Sequence, residues 1–126
     1  MWLSPTTWRT GWIVWWVALF VIMHTPKLPR IHSRVDHVDK LFHFAGYAML
    51  AWLCTVSARA RGMELSRGWY GRWTAAYAGY AVIDELLQPI VGRSTDPWDW
   101  LADMTGVVAA FLLVHFADRP SRTNAP

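Results

Sequence analysis

Residues 98–117, WDWLADMTGVVAAFLLVHFA, set the terms for the whole chain. Residues 104–114 of this stretch carry no charge, and the full run is about the 20 residues that a helix needs to cross a hydrocarbon core at ~1.5 Å per residue. Yet its first part holds Asp99 and Asp103, which on a helix share one face with Gly106. A carboxylate at membrane depth costs several kcal/mol unless it finds a partner or water, so this face must meet other protein rather than lipid.

Three further apolar stretches lie upstream, at about residues 8–24, 41–60 and 73–91. With 98–117 they predict an all-α polytopic membrane protein, a four-transmembrane-helix bundle forming one membrane domain over 1–126, with residues 118–126 as a polar tail. The first stretch is short, and it crosses if Arg9 snorkels and Trp8 and Trp12 sit at the interface. It reads as a retained helix rather than a cleaved leader, because His24-Thr25-Pro26 offers no small-x-small cleavage site. Composition agrees: 54% of the 126 residues are hydrophobic, 17% are charged, and ten are Trp. A soluble domain this small lacks the interior to bury so much apolar surface, and the same figures exclude disorder.

The net charge of +3 comes largely from Arg residues flanking apolar runs, which fits anchoring in a bilayer. No basic helix stands clear of a span, so nucleic acid is not an expected partner. Cys54 is the single cysteine, which excludes an intrachain disulfide and a Cys-based zinc site and leaves metal chemistry to His and carboxylates. On one side of the membrane lie Arg9, Arg59, Arg61, Arg67, Arg72, Arg119 and Arg122, and on the other Lys27, Arg30, Arg34, Lys40 and Arg93. Excess positive charge stays inside, so seven against five predicts cytoplasmic N- and C-termini.

The polar residues within the spans are not scattered. The second span opens with Asp39, Lys40 and His43, the third closes with Asp84, Glu85 and Gln88, and the fourth opens with Asp99 and Asp103. In an up-and-down bundle these three ends share one membrane face, so the ionisable groups are expected to converge at one depth. Helical spacing puts Lys40, His43 and Tyr47 on one stripe, with Asp39 stacked on His43, and Asp84 with Gln88 on another. Simpler roles compete with a site. Asp96 before Pro97 has the pattern of a helix N-cap with proline at the first helical position, and Asp39 is a candidate cap for the second span. His24, His32 and His37 lie in the first connection and are expected to be bystanders. Asp84 and Glu85 point about 100° apart on a helix, so one faces the bundle and the other reaches partners or water; a structural ion pair with Lys40 or Arg93 is the plain alternative.

At Asp39-Lys40-Leu41-Phe42-His43-Phe44-Ala45-Gly46-Tyr47, at Asp84-Glu85-Leu86-Leu87-Gln88 with Arg93, and at Asp99 through Gly106, the chain resembles the VanZ-like family of small bacterial membrane proteins. These stretches look like the family's Asp-Lys…His…Tyr, Asp-Glu…Gln…Arg and Asp…Asn…Gly signatures over about residues 26–106, except that Asp103 stands where the pattern commonly has Asn. The resemblance implies a helical protein of the bacterial inner membrane. For the family's type member it implies lowered susceptibility to teicoplanin, and it supplies no reaction.

Three functions are then in play. In the first, Lys40 and Arg93 hold the phosphate or carboxylate of an anionic cell-envelope molecule, a lipid-linked cell-wall precursor or a phospholipid headgroup, with Tyr47, Gln88, Asp99 and Asp103 lining the site. His43, Asp84 and Glu85 are its candidate acid–base groups, or with Asp103 the ligands of a divalent cation. In the second, the acidic cluster is the proton relay of a transporter subunit, which needs at least a homo-oligomer because four spans are few. The third is a structural scaffold without chemistry. Membrane lipids are partners in all three. No Ser-His-Asp spacing, glycine-rich phosphate loop, HExxH or CxxC is present to name a reaction.

Overall fold

A computed structural model describes residues 3–26 and 35–117. They form four helices: α1 (Pro5–Met23), α2 (Val35–Ala60), α3 (Arg67–Leu87) and α4 (Pro97–Ala117), with a 3-10 turn at Gln88–Val91. Lys27, Arg30, His32, Arg34 and the tail at 118–126 lie outside the described residues.

Helices α1, α3 and α4 start where a side chain satisfies open N–H groups. The Ser4 hydroxyl accepts from Thr7 N at 3.1 Å ahead of Pro5, and Ser66 accepts from Trp69 N at 3.2 Å. Asp96 Oδ1 accepts from Trp98 N at 3.0 Å, with Pro97 opening α4, so Asp96 is the cap that its sequence pattern predicts. The helices overrun the apolar stretches. α2 begins at Val35 rather than residue 41, which makes Asp39 and Lys40 helical and removes Asp39 from a capping position. α3 begins at Arg67 rather than residue 73, because Ser66 supplies a cap that hydropathy does not register. It stops at Leu87 because Pro89 lacks the N–H that would bond to Glu85 O; the Thr95 hydroxyl donates to that carbonyl instead, at 3.0 Å. Gly92, at φ 77°, ends the 3-10 turn in a left-handed conformation that suits glycine.

Helices α2 and α4 pack most closely, at Gly106. A Cβ there would run into Phe44 O and Ala48 N on α2, so the two backbones touch where glycine leaves room. Helix α1 joins through indoles. Trp15 Nε1 donates to Gly46 O on α2 at 3.0 Å, and Trp12 Nε1 donates to the Tyr77 hydroxyl on α3 at 3.2 Å. Trp12 and Trp16 pack edge-on or tilted against Trp73, Tyr77 and Tyr80 of α3 at centroid separations of 5.2–5.6 Å. Trp12 is therefore an inter-helix contact.

The distribution of side chains is inverted relative to a soluble protein. His43, Thr55, Ser57, Asp84, Gln88 and Asp103 are buried, whereas Val14, Val17, Leu41, Phe42, Leu86 and Leu113 face outward. An apolar mantle of this kind around a polar interior is suited to lipid. His37–Ala60 and Pro97–Ala117 are long and apolar enough to cross a membrane.

Candidate functional site

The ionisable groups meet at one end of the bundle. His43, on the second turn of the membrane-length segment His37–Ala60 of α2, is wholly buried, and its Nδ1 lies 2.9 Å from Asp103 Oδ1 on α4. The close approach at Gly106 permits this: Gly106 is three residues from Asp103, and Phe44 is next to His43. The imidazole Nε2 points to the other carboxylate of α4, 3.7 Å from Asp99 Oδ2. One turn of α4 separates Asp99 from Asp103, so they bracket the ring.

Both fixed cations of the site are already engaged. Lys40 Nζ lies 2.7 Å from Asp96 Oδ2 and 3.0 Å from Asp99 Oδ1. Arg93 Nη2 lies 3.2 Å from Asp39 Oδ1, tying the segment after α3 to α2. Neither cation forms the ion pair with Asp84 or Glu85 that the sequence offers as the plain alternative; Lys40 stays about a third exposed, and Arg93 Nε has no hydrogen bond among the described residues. Asp96 lies in the connection before α4, and the Lys40 ammonium together with the Trp98 N–H holds its carboxyl below the usual aspartate range.

Adjacent in sequence, Asp84 and Glu85 part in role. Glu85 Oε1 accepts from Gln88 Nε2 at 2.9 Å and Oε2 accepts from Asp96 N at 3.0 Å, so this carboxylate clasps the end of α3 to the start of α4. Both of its oxygens are occupied, which leaves it less free for acid–base work than the sequence suggests. Asp84 faces the interior, is almost fully buried, and has no hydrogen-bond partner on either oxygen among the described residues. Its nearest basic group is His24, whose Nδ1 is 3.5 Å from Asp84 Oδ1. His24 is the residue that sequence reasoning passed over. It follows the last residue of α1 and bonds back to Phe20 O at 2.8 Å. Its level was legible, since the end of α1 shares a membrane face with the start of α2.

Tyr47 completes the floor of the nest, buried between α2 and α3 with its ring 5.9 Å from that of Tyr80 and its hydroxyl unpartnered. Unpartnered buried atoms also include His43 Nε2, Gln88 Oε1 and Asp103 Oδ2. Among the described residues of the nest, the carboxylates of Asp39, Asp84, Glu85, Asp96, Asp99 and Asp103 outnumber the permanent cations, Lys40 and Arg93. Such a set can bind a polar or cationic group, or carry protons between carboxylates and imidazoles.

The model of the family described as VanZ/LLP1 matches residues 3–118. The chain belongs to the VanZ/LLP1 family. That match takes in all four helices, and with them every group of the nest. No curated protein and no solved structure matches the chain. This VanZ/LLP1 protein is a helical membrane protein whose three polar signatures, distant in sequence, fold into a single cluster.

Proposed function

We propose that this VanZ/LLP1 protein binds the polar headgroup of an anionic cell-envelope molecule, a lipid-linked precursor or a phospholipid, at the end-of-bundle nest. One observation supports this above the rest: buried polar atoms of His43, Tyr47, Asp84, Gln88 and Asp103 make no hydrogen bond among the described residues, though all belong to one cluster. An unmet buried polar group costs about 1–3 kcal/mol, so a constellation of them is retained where something else meets them. Lys40, about a third exposed at the rim, is the first positive charge an incoming phosphate reaches. The His43–Asp103 pair is the acid–base couple if binding is followed by chemistry. All four helices span the bacterial inner membrane in this reading, with both termini cytoplasmic and the nest toward the outer face.

Purified protein is tested by mass spectrometry of co-purified lipid and by binding to vesicles with and without anionic lipid. Retention of anionic lipid, weakened in Lys40→Met, is the expected result; equal binding to neutral vesicles removes the reading. Turnover of lipid phosphates that His43→Ala and Asp84→Asn abolish would make the protein an enzyme, and turnover indifferent to both would remove that version. A link to teicoplanin is read from the susceptibility of cells with and without the chain.

A proton relay is the second reading, favoured by Asp84, whose two oxygens have no hydrogen bond while His24 lies 3.5 Å away. Substrate uptake into proteoliposomes that ignores a proton gradient removes it.

A further inference from the structure

His43 is tied down at one ring nitrogen and open at the other. With Nδ1–H donating to Asp103 Oδ1 at 2.9 Å, Nε2 carries a lone pair. This Nε2 is buried, has no hydrogen-bond partner among the described residues, and faces Asp99 Oδ2 at 3.7 Å. A lone pair on Nε2 and a carboxylate oxygen turned toward it repel unless a proton or a metal ion lies between them, and 3.7 Å is too long for a shared proton to make a good hydrogen bond. Donors bound at about 2.0–2.2 Å to one metal ion stand about 3–3.5 Å from each other, so a slight contraction would seat an ion here.

A third donor is in place. Asp39 precedes His43 by one helical turn, and one ligand atom each from Asp39, His43 and Asp99 lie within 4.8 Å of one another. The surroundings fit as well. Lys40 takes Asp99 Oδ1 at 3.0 Å, which fixes the carboxylate and leaves Oδ2 turned to the imidazole. Asp103 behind the ring is the carboxylate that orients a metal-binding histidine and sets its tautomer. The negative excess of the nest supplies the electrostatic reason for a divalent ion. A second grouping, His43 with Glu85 and Asp103, has ligand atoms equally close. It is the poorer site: Gln88 and the Asp96 N–H occupy both Glu85 oxygens and His43 Nδ1 occupies Asp103 Oδ1. In the first grouping Asp39 also contacts Arg93 Nη2, at 3.2 and 3.5 Å, but His43 Nε2 has no hydrogen bond among the described residues.

We propose that Asp39, His43 through Nε2, and Asp99 form a binding site for a divalent transition-metal cation, with Asp103 as the positioning residue behind the imidazole. One imidazole and two carboxylates favour Zn²⁺ or Mn²⁺ over Ca²⁺ and Mg²⁺. The inference deepens the headgroup reading and rests on it in one respect only: an ion here, next to Lys40, would bridge an anionic headgroup to an acidic nest. The ion site itself requires no lipid.

The test is calorimetric titration of the full chain in detergent, stripped with chelator, with ZnCl₂ and with MnCl₂. One equivalent per chain is expected for at least one of the two. His43→Ala and Asp99→Asn should abolish it, Asp103→Asn should weaken it about 10–100-fold, and His115→Ala, at the far end of α4, should bind like the wild type. Absence of binding by the wild type, or binding by His43→Ala equal to it, overturns the proposal. Should His43→Ala fail to fold, Asp99→Asn serves as the deciding variant, and a metal-dependent rise in the wild-type melting temperature reads the site without any substitution. Stoichiometric metal binding together with indifference to anionic vesicles keeps the ion site and removes the headgroup reading. Anionic-lipid binding without metal binding does the reverse.

Discussion

At His43 the environment on the two sides of one ring differs, and so do the consequences of changing its neighbours. Asp103→Ala takes away the acceptor of a buried N–H and should cost about 1–3 kcal/mol, whereas Asp103→Asn keeps an oxygen in place and should cost less. Unfolding of the two variants in detergent measures the difference; equal losses would mean that the hydrogen bond contributes little. Asp96 gives the site a dependence on pH. Its carboxyl titrates below the ordinary aspartate value, chiefly because of the Lys40 ammonium, so the stability it contributes is complete above the unfolded value of about 3.9. That contribution disappears as pH falls from there through the depressed folded value. Since the Asp96 side chain is about a third exposed, screening keeps the effect modest. Melting temperatures between about pH 3 and 6 should fall on acidification more steeply in the wild type than in Asp96→Asn, which retains a capping side chain but not the charge.

Among the elements, the seam between α2 and α4 is the part of the bundle on which the site depends. A methyl group at Gly106 meets backbone atoms of Phe44 and Ala48, which cannot move without parting the helices. At Gly46 it meets the end of the Leu19 side chain, which can turn aside. Gly106→Ala should therefore destabilise by about 1–3 kcal/mol and loosen the His43–Asp103 contact, with Gly46→Ala the milder of the two. Thermal unfolding ranks the pair, and the reverse order would place the critical packing between α1 and α2. This seam also shows what local sequence signals leave out. Hydropathy marks the lipid-facing core of a helix but not its ends: Ser66 extends α3 back to Arg67, and α2 reaches back to Val35 through residues too polar to register. The third stretch as read from hydropathy, 73–91, runs through Pro89, whereas α3 ends at Leu87 and the Thr95 hydroxyl takes up the Glu85 carbonyl.

For the whole molecule, the count of seven Lys and Arg against five bears on orientation. A reporter fused after Pro126 should be active only in its cytoplasmic form; activity of a periplasmic reporter would invert the arrangement and set the nest toward the cytoplasm. The four-helix plan and the convergence of polar ends at one level followed from the sequence, because apolar run length and up-and-down connectivity together fix which ends share a face. Residue types and helical spacing likewise put His43, Asp84, Asp99 and Asp103 among the groups that must turn from lipid. The pairing was different. That Lys40 goes to Asp96 and Asp99, that Arg93 goes to Asp39, that Glu85 clasps and Asp84 stays unpartnered, and that His24 joins from α1 all depend on helix rotation and sub-ångström separation. Those are set by side-chain packing between elements far apart in the chain, such as glycine against backbone at Gly106 and indole against phenol at Trp12, and one-dimensional periodicity holds no record of them.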